Sequence, residues 1–251
     1  MKTLFILLGL SVLLFAACSS KTLSSAAEQK SIIARTIEAH GGQRYDTAAY
    51  TFEFRGRNYT FQQHQEGSYH YSRTYQKEEK RYEETLTNVS FSQKVDGQLQ
   101  ELSDKDALRF GNALNSVIYF ALLPYKLEDP AVRQKEMGTV TIKGKPYRVV
   151  EVRFVEEGGG TDHEDIFYYW LDQETYIMDY LAYTYHVNGG GVRFRSAYNP
   201  RIVDGIRFQD YINYKAPKDT PLASLPQLFE AGQLKELSRI ELKNVRGLPT
   251  Q

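Results

Sequence analysis

The sequence predicts a mainly β fold with a few helices (α+β): a curved antiparallel sheet, or incomplete β-barrel, with helices packed on it. Three observations point there. Aromatic and β-branched residues alternate with polar ones over long stretches, turn-forming dipeptides such as Arg55-Gly56, Asp96-Gly97 and Asp204-Gly205 fall between them, and few segments carry a helical period. Tyrosine occurs nineteen times against a single tryptophan, in runs such as Tyr69-His70-Tyr71 and Tyr183-Thr184-Tyr185 that suit sheet better than helix.

With 251 residues, 41% hydrophobic and 25% charged, the chain can bury one substantial core, and a single β-rich domain over residues 25–251 is the simplest division. The formal net charge is +0 and basic residues are spread along the chain, so the electrostatic footprint of a nucleic-acid binder is missing. A monomer without a cofactor and without a nucleic-acid partner is expected.

The N-terminus sets the compartment. Lys2 gives a short basic region, Leu4 to Phe15 an apolar one, and Ala16-Ala17-Cys18 a small-residue cleavage site at the chain's only cysteine. This arrangement resembles the lipobox of bacterial lipoproteins, with Phe15 standing where leucine is commonest. The resemblance implies a lipoprotein signal peptide over residues 1–17, lipidation of Cys18, and a polar tether over 18–24. It places the protein in the bacterial cell envelope, on the outer membrane facing the periplasm. An ordinary secretory signal is the alternative. A membrane-spanning anchor is disfavoured, since about 12 apolar residues are too few where about 20 are needed. One cysteine allows no intramolecular disulfide, so core burial alone must stabilise the exported domain.

A helix is expected to begin at the capping box Ser25-Ala26-Ala27-Glu28, to carry Ile33 and Ile37 one turn apart and His40 in its last turn, and to stop at Gly41-Gly42. Residues 48–95 read as a meander of antiparallel strands. His64 and His70 flank its Glu66-Gly67 turn, and a two-residue loop there sends them to opposite faces, against a metal site. Ser103-Asp104-Lys105-Asp106 caps a helix through Leu108, Leu114, Ile118 and Leu122, ended by Pro124. Its second half is apolar nearly all round, as in a helix buried on most sides. Asp129-Pro130 starts one more short helix. A hairpin over 138–155 turns at Gly144-Lys145, strands are expected at 192–198, 206–214 and 237–245, and 222–231 forms a helical plug or lid with Gly232 as its stop.

The remaining stretch, Gly158 to Tyr185, is a glycine-hinged acidic loop feeding an aromatic hairpin. A loop of two or four residues around Gln173-Glu174 sets 171 opposite 176. His163, Asp165, Phe167, Tyr169, Leu171, Tyr176, Met178, Tyr180, Ala182, Thr184 and His186 then share one face. A two-residue turn within 188–191 adds Arg193 and Arg195. The other face, with Ile166, Tyr168, Trp170, Ile177, Leu181, Tyr183 and Tyr185, is apolar too. A sheet apolar on both sides must be covered on both. The long helix can take one side, and the other receives the second helical segment or lines a cavity for an apolar ligand.

The candidate ligand-binding residues are therefore His163, Asp165, Tyr169, Met178, Tyr180, His186, Arg193 and Arg195. Three readings of their polar end stay open. The arginines can hold a carboxylate or phosphate by paired hydrogen bonds. His163, Asp165 and His186 can bind zinc or iron with positions open to substrate, as in a metal-dependent hydrolase. Or Asp162 and Asp165 simply neutralise the arginines. No Ser-His-Asp order, nucleophile elbow, phosphate-binding glycine loop or HExxH motif occurs.

Four motifs, Ile118-Tyr119-Phe120-Ala121-Leu122-Leu123-Pro124, Gly159-Gly160-Thr161-Asp162-His163-Glu164-Asp165, Tyr169-Trp170-Leu171-Asp172 and Gly191-Val192-Arg193-Phe194-Arg195, resemble an uncharacterised family of bacterial envelope lipoproteins. Such proteins have sometimes been labelled deoxyribose-phosphate aldolase. That aldolase needs alternating strands and helices in a barrel and a Schiff-base lysine in an apolar pocket, and this sequence offers neither. More distantly, the order of helix, meander, buried helix and long hairpins with a Val203-Asp204-Gly205-Ile206 turn is similar to the lipoprotein-sorting half-barrel carriers. In those, a curved sheet plugged by helices holds an acyl chain on its concave face. The resemblance implies a lipid-anchored envelope protein, partnered by the membrane through Cys18, that binds an apolar or amphiphilic ligand. The metal-dependent hydrolase and a structural or partner-docking lipoprotein are the alternatives.

Overall fold

Two-residue turns organise the strands. Arg55-Gly56, Asp96-Gly97 and Asp204-Gly205 each pair left-handed backbone at both central positions, the conformation that matches the right-handed twist of the flanking strands. Lys143-Gly144 does the same, one residue earlier than expected, and so does Glu78-Glu79, whose φ angles of 51° and 63° are held without glycine. The structure is a computed structural model and describes residues 30–64, 67–155, 164–186 and 189–249.

The meander comprises β1 (Ala49–Phe54), β2 (Arg57–Gln63), β3 (Tyr69–Lys77), β4 (Lys80–Thr87), β5 (Phe91–Val95) and β6 (Gln98–Leu99). The second half of the chain forms β7 (Val132–Ile142), β8 (Lys145–Phe154), β9 (Phe167–Asp172), β10 (Met178–Tyr185), β11 (Gly191–Val203) and β12 (Ile206–Ala216). Two further strands close it, β13 (Lys235–Ile240) and β14 (Lys243–Gly247). All pairings are antiparallel, in a seven-stranded sheet ordered β14-β1-β2-β3-β4-β5-β6 and another ordered β13-β12-β11-β10-β9-β8-β7. Both sheets are open, so the mainly β, incomplete-barrel class holds. The expectation of one sheet and one final strand is corrected: the last strand breaks at Glu241-Leu242 and its two parts lie in different sheets.

Side chains cause that break. Buried Asp210 accepts from the Leu242 N–H at 3.0 Å, from Arg201 at 3.1 Å and from Asn199 at 2.7 Å, while Arg201 also donates to the Leu242 carbonyl. Both backbone groups of Leu242 are thus satisfied outside any ladder, which frees the chain to change sheets.

Helix α1 (Ile32–His40) is capped by Ser31, whose hydroxyl accepts from the Ala34 N–H at 3.0 Å, so this helix begins at Ile32 and not at Ser25; residues 25–29 lie outside the described set. Gly41 ends it as expected. Helix α2 (Asp104–Ala121) starts at its Ser103 cap and packs on β3, β4 and β5. It buries one stripe, Gly111, Leu114 and Ile118, rather than most of its surface, and Leu108 is 58% exposed. The short helix expected at Asp129-Pro130 is absent. A 3-10 turn over Tyr125–Glu128 precedes it, and the Val132 N–H bonds the Asp129 carbonyl at 2.9 Å, leading directly into β7. The turn expected at Glu66-Gly67 lies partly outside the described residues, but the register between β2 and β3 differs by one: Gln62 faces His70, which places His64 and His70 on the same side, with His64 exposed beyond the end of β2.

Two cores result. The larger joins Phe52, Phe61 and Tyr71 of the first sheet, Ile33 and Ile37 of α1, Leu114 and Ile118 of α2, and Tyr169, Leu171, Leu181 and Phe208 of the second sheet. Full burial of each such side chain contributes roughly 1.5–3 kcal/mol. The smaller lies on the outer side of the second sheet, where Leu222, Leu225 and Phe229, around helix α3 (Leu225–Glu230), cover Trp170, Tyr180, Val192 and Phe194. The second helical segment therefore covers one apolar face of the aromatic hairpin, as one of the two expected arrangements has it.

Candidate functional site

The register of the aromatic hairpin decides which side chains meet. Asp172 accepts from the N–H of Glu174 at 3.0 Å and of Thr175 at 2.8 Å, winding a wider turn than expected, and Leu171 faces Met178 instead of Tyr176. The ladder then slips at Asp179. Its cause is that the Met178 carbonyl accepts from Gln209 at 2.7 Å and the Met178 N–H reaches His40 Nε2 at 3.5 Å, while the Asp179 carboxylate accepts from Tyr147 on the outer face at 2.8 Å. Beyond this bulge Tyr180 pairs with Trp170 and Leu181 with Tyr169.

Alternation has a period of two, so the slip exchanges the faces of β10. Tyr180 and Ala182 go to the outer core, correcting the expectation that they share a face with Tyr169, and Leu181, Tyr183 and Tyr185 come inward. The next hairpin departs too: Tyr185 pairs with Gly191 and Tyr183 with Arg193, around a longer connection than a two-residue turn. The two departures cancel. Arg193 and Arg195 end on the face of Tyr169 and Asp165, where the sequence reading put them, though by a different route.

Between that face and α2 lies a cavity of about 560 Å³. Val117, Phe120 and Ala121 of α2 line one wall, Phe167, Tyr183, Tyr185, Arg193, Arg195, Gln209, Tyr211 and Asn213 another, and Phe54, Arg55, Ile240 and Leu242 complete it, with Ser116 and Asp165. The lining is mostly aromatic and aliphatic, with Arg193, Arg195, Gln209 and Asn213 grouped on the β11–β12 side and Arg55, Ser116 and Asp165 elsewhere.

Those polar groups are unevenly matched. Buried Asp165 faces His186, Oδ1 to Nδ1 at 3.0 Å, with the imidazole 62% exposed at the rim. Arg193 donates to the Tyr185 hydroxyl and to the Val192 carbonyl at 3.0 Å. Arg195, only 7% exposed, donates to the Tyr183 hydroxyl at 2.8 Å and stacks on Phe120 with its guanidinium carbon 4.0 Å from the ring centre; among the described residues its Nε has no partner. Tyr211 accepts from Gln209 at 2.7 Å, and burial pushes its phenol up to about 12.

Of the sequence-predicted residues, Asp165, Arg193 and Arg195 line the cavity and His186 touches Asp165. Tyr169 lies deeper in the core on the same face, its phenol held well above the usual range by burial. Met178 is likewise buried there, and Tyr180 sits on the far side against Tyr147 and Phe229. His163 and Cys18 lie outside the described residues. Among the described residues no three His, Cys, Asp or Glu side chains are grouped so as to hold a metal ion.

Tyr211 and Asn213 went unnoticed in the sequence. The Asp204-Gly205 turn sets Val203 opposite Ile206, which would turn 210, 212 and 214 toward the arginines; a bulge between Tyr198 and Arg201 instead brings Asn213 opposite Arg195.

Over residues 2–242 the sequence matches the family described as a family of unknown function, DUF6503. The chain belongs to that family. No curated protein matches it. Among solved structures it is similar to a LolA superfamily protein from Nitrosomonas europaea, at 12% identity and a TM-score of 0.49, covering 86% of this chain and 93% of that one. A putative outer membrane lipoprotein-sorting protein domain from Vibrio parahaemolyticus gives 10% and 0.42, covering 80% and 83%. Lipoprotein LppX of Mycobacterium tuberculosis gives 9% and 0.27, covering 63% and 87%. The lipoprotein-sorting proteins that the order of elements resembles are thus among this family member's structural neighbours. At these identities and TM-scores the likeness assigns no function.

Proposed function

We propose that this family member is a lipid-anchored envelope protein that holds an apolar or amphiphilic ligand in the cavity beside α2. Residues 1–17 act as its signal peptide, Cys18 carries the anchor, residues 18–24 form the tether, and the β-rich domain of residues 25–251 faces the periplasm from the outer membrane. The short basic and apolar segments before Cys18 support the anchor.

The cavity carries the ligand reading. Its volume of about 560 Å³ falls within the roughly 300–1,000 Å³ of small-molecule sites, and its lining of Val117, Phe120, Phe167 and Leu242 with a few convergent polar groups has their usual character. Each methylene moved from water into such surroundings gains about 0.8 kcal/mol. Native mass spectrometry of the protein purified in mild detergent is expected to show a lipid adduct. Val117→Trp, which places an indole in the cavity, is expected to abolish it. Absence of any adduct, together with no uptake of the neutral fluorophore N-phenyl-1-naphthylamine, would remove the proposal.

A further inference from the structure

Building on that reading, we infer that the ligand's polar end is an anion, a carboxylate or a phosphate ester, received by Arg195 and Arg193. Arg195 is buried on the cavity wall, and a guanidinium cannot shed its charge as a lysine or histidine would. A buried charge without a counter-ion is destabilising. Yet among the described residues no carboxylate pairs with Arg195 or Arg193 and nothing accepts from Arg195 Nε.

The surrounding groups have surplus donors. Tyr183 accepts from Arg195, Tyr185 from Arg193 and Tyr211 from Gln209, so each phenol keeps its own O–H to donate. Gln209 cannot turn round to become an acceptor there, because its Oε1 takes the Arg207 Nε–H at 3.0 Å and its amide nitrogen serves the Met178 carbonyl at 2.7 Å. Among the described residues three arginines line the cavity, Arg55 being the third, against one carboxylate, Asp165, which is already engaged by His186. Asn213 is the opposing feature: its Oδ1 is buried without a partner while its Nδ2 donates to Ser238 at 3.2 Å. Turning that amide over lets Ser238 donate to oxygen and adds another N–H to the donors. A head group rich in acceptors and carrying negative charge satisfies this set; an alcohol or a quaternary ammonium does not.

The test displaces bound N-phenyl-1-naphthylamine from the purified protein with palmitate, hexadecyl phosphate, hexadecanol and hexadecyltrimethylammonium, and with inorganic phosphate alone. The two anionic amphiphiles are expected to displace at concentrations lower than hexadecanol by on the order of tenfold or more, the size of a charge-assisted hydrogen bond. Arg195→Gln is expected to bring the displacing concentrations of hexadecyl phosphate and hexadecanol together, and an unchanged circular dichroism spectrum reports that the variant is folded. Equal displacement by hexadecanol and hexadecyl phosphate in the unaltered protein would overturn the inference and leave the cavity reading standing. Inorganic phosphate competing as well as its hexadecyl ester would overturn it too, by showing a site for a free anion. Failure of every amphiphile to displace would instead sink the proposed function itself.

Discussion

Arg73 on β3 and Arg195 on β11 are buried alike, at 4% and 7% exposure, but among the described residues only Arg73 meets an acid. Arg73 lies opposite Glu84 across the first sheet and pairs with it through Nε and Nη2; the other oxygen of Glu84 accepts from Tyr75 at 3.1 Å and from Gln93 at 2.9 Å. Every charge there is answered from neighbouring strands. Arg195 in the second sheet has a phenol, a phenyl face and an unanswered Nε. Depth of burial alone therefore does not say whether a cation is paired. What separates the two is whether, among the described residues, a neighbouring strand supplies the counter-charge.

The largest expected effect tests the first half of that contrast. Glu84→Gln keeps the shape but strands Arg73, and should cost about 3–5 kcal/mol of stability by urea denaturation, the penalty for breaking a buried pair. A loss under about 1 kcal/mol would put both arginines in one class and break the comparison.

His40 shows a third outcome for a buried base. It is 1% exposed, its Nδ1–H donates to the Thr36 carbonyl at 2.8 Å, and its Nε2 faces the Met178 N–H, so the neutral ring fits both partners. Burial lowers its pKa from 6.5 to about 4. Between those values the unfolded chain binds the proton that the folded one refuses, so the full stability is present above pH 6.5 and is lost as pH falls toward 4, by about 3 kcal/mol. Denaturation at stepped pH should show His40→Gln losing less stability over this window than the parent. An identical pH dependence would show that His40 already carries its proton in the fold.

The smallest effect sharpens the second half. Arg195→Met should change stability by less than about 1 kcal/mol, because removing an unpaired buried charge offsets the lost stacking on Phe120 and the lost bond to Tyr183. A loss comparable with Glu84→Gln would make Arg195 a structural cation and empty the anion inference.

Much of the fold was legible because its signals are local. The capping hydroxyl of Ser103, the glycine stop at Gly41 and the turn dipeptides at 55–56, 96–97 and 204–205 act within a few residues, and each stands where the sequence put it. Signals that needed a distant partner were misread. Ser25 offered a better capping pattern than Ser31, yet Ser31 caps the helix whose Ile33 and Ile37 enter the core. The second half of α2 looked apolar nearly all round, but the helix fully buries only the stripe of Gly111, Leu114 and Ile118. Beside the cavity, Arg193 and Arg195 share the face of Asp165 as counted only because two miscounts cancel, while Tyr180, Tyr183, Tyr185 and Asn213 were misplaced or missed because bulges change the count.

By itself the sequence determined the turns at 55–56, 96–97 and 204–205, the Gly41 stop of α1, the Ser103 start of α2 and that both faces of the aromatic hairpin are apolar, since each follows from side-chain shape and backbone preference over a few neighbours. Only the tertiary structure decided which tyrosines line the cavity. His40 and Gln209, from α1 and β12, take up the backbone of Met178 and slip one residue out of the ladder, and a two-residue repeat turns that single slip into an exchange of faces.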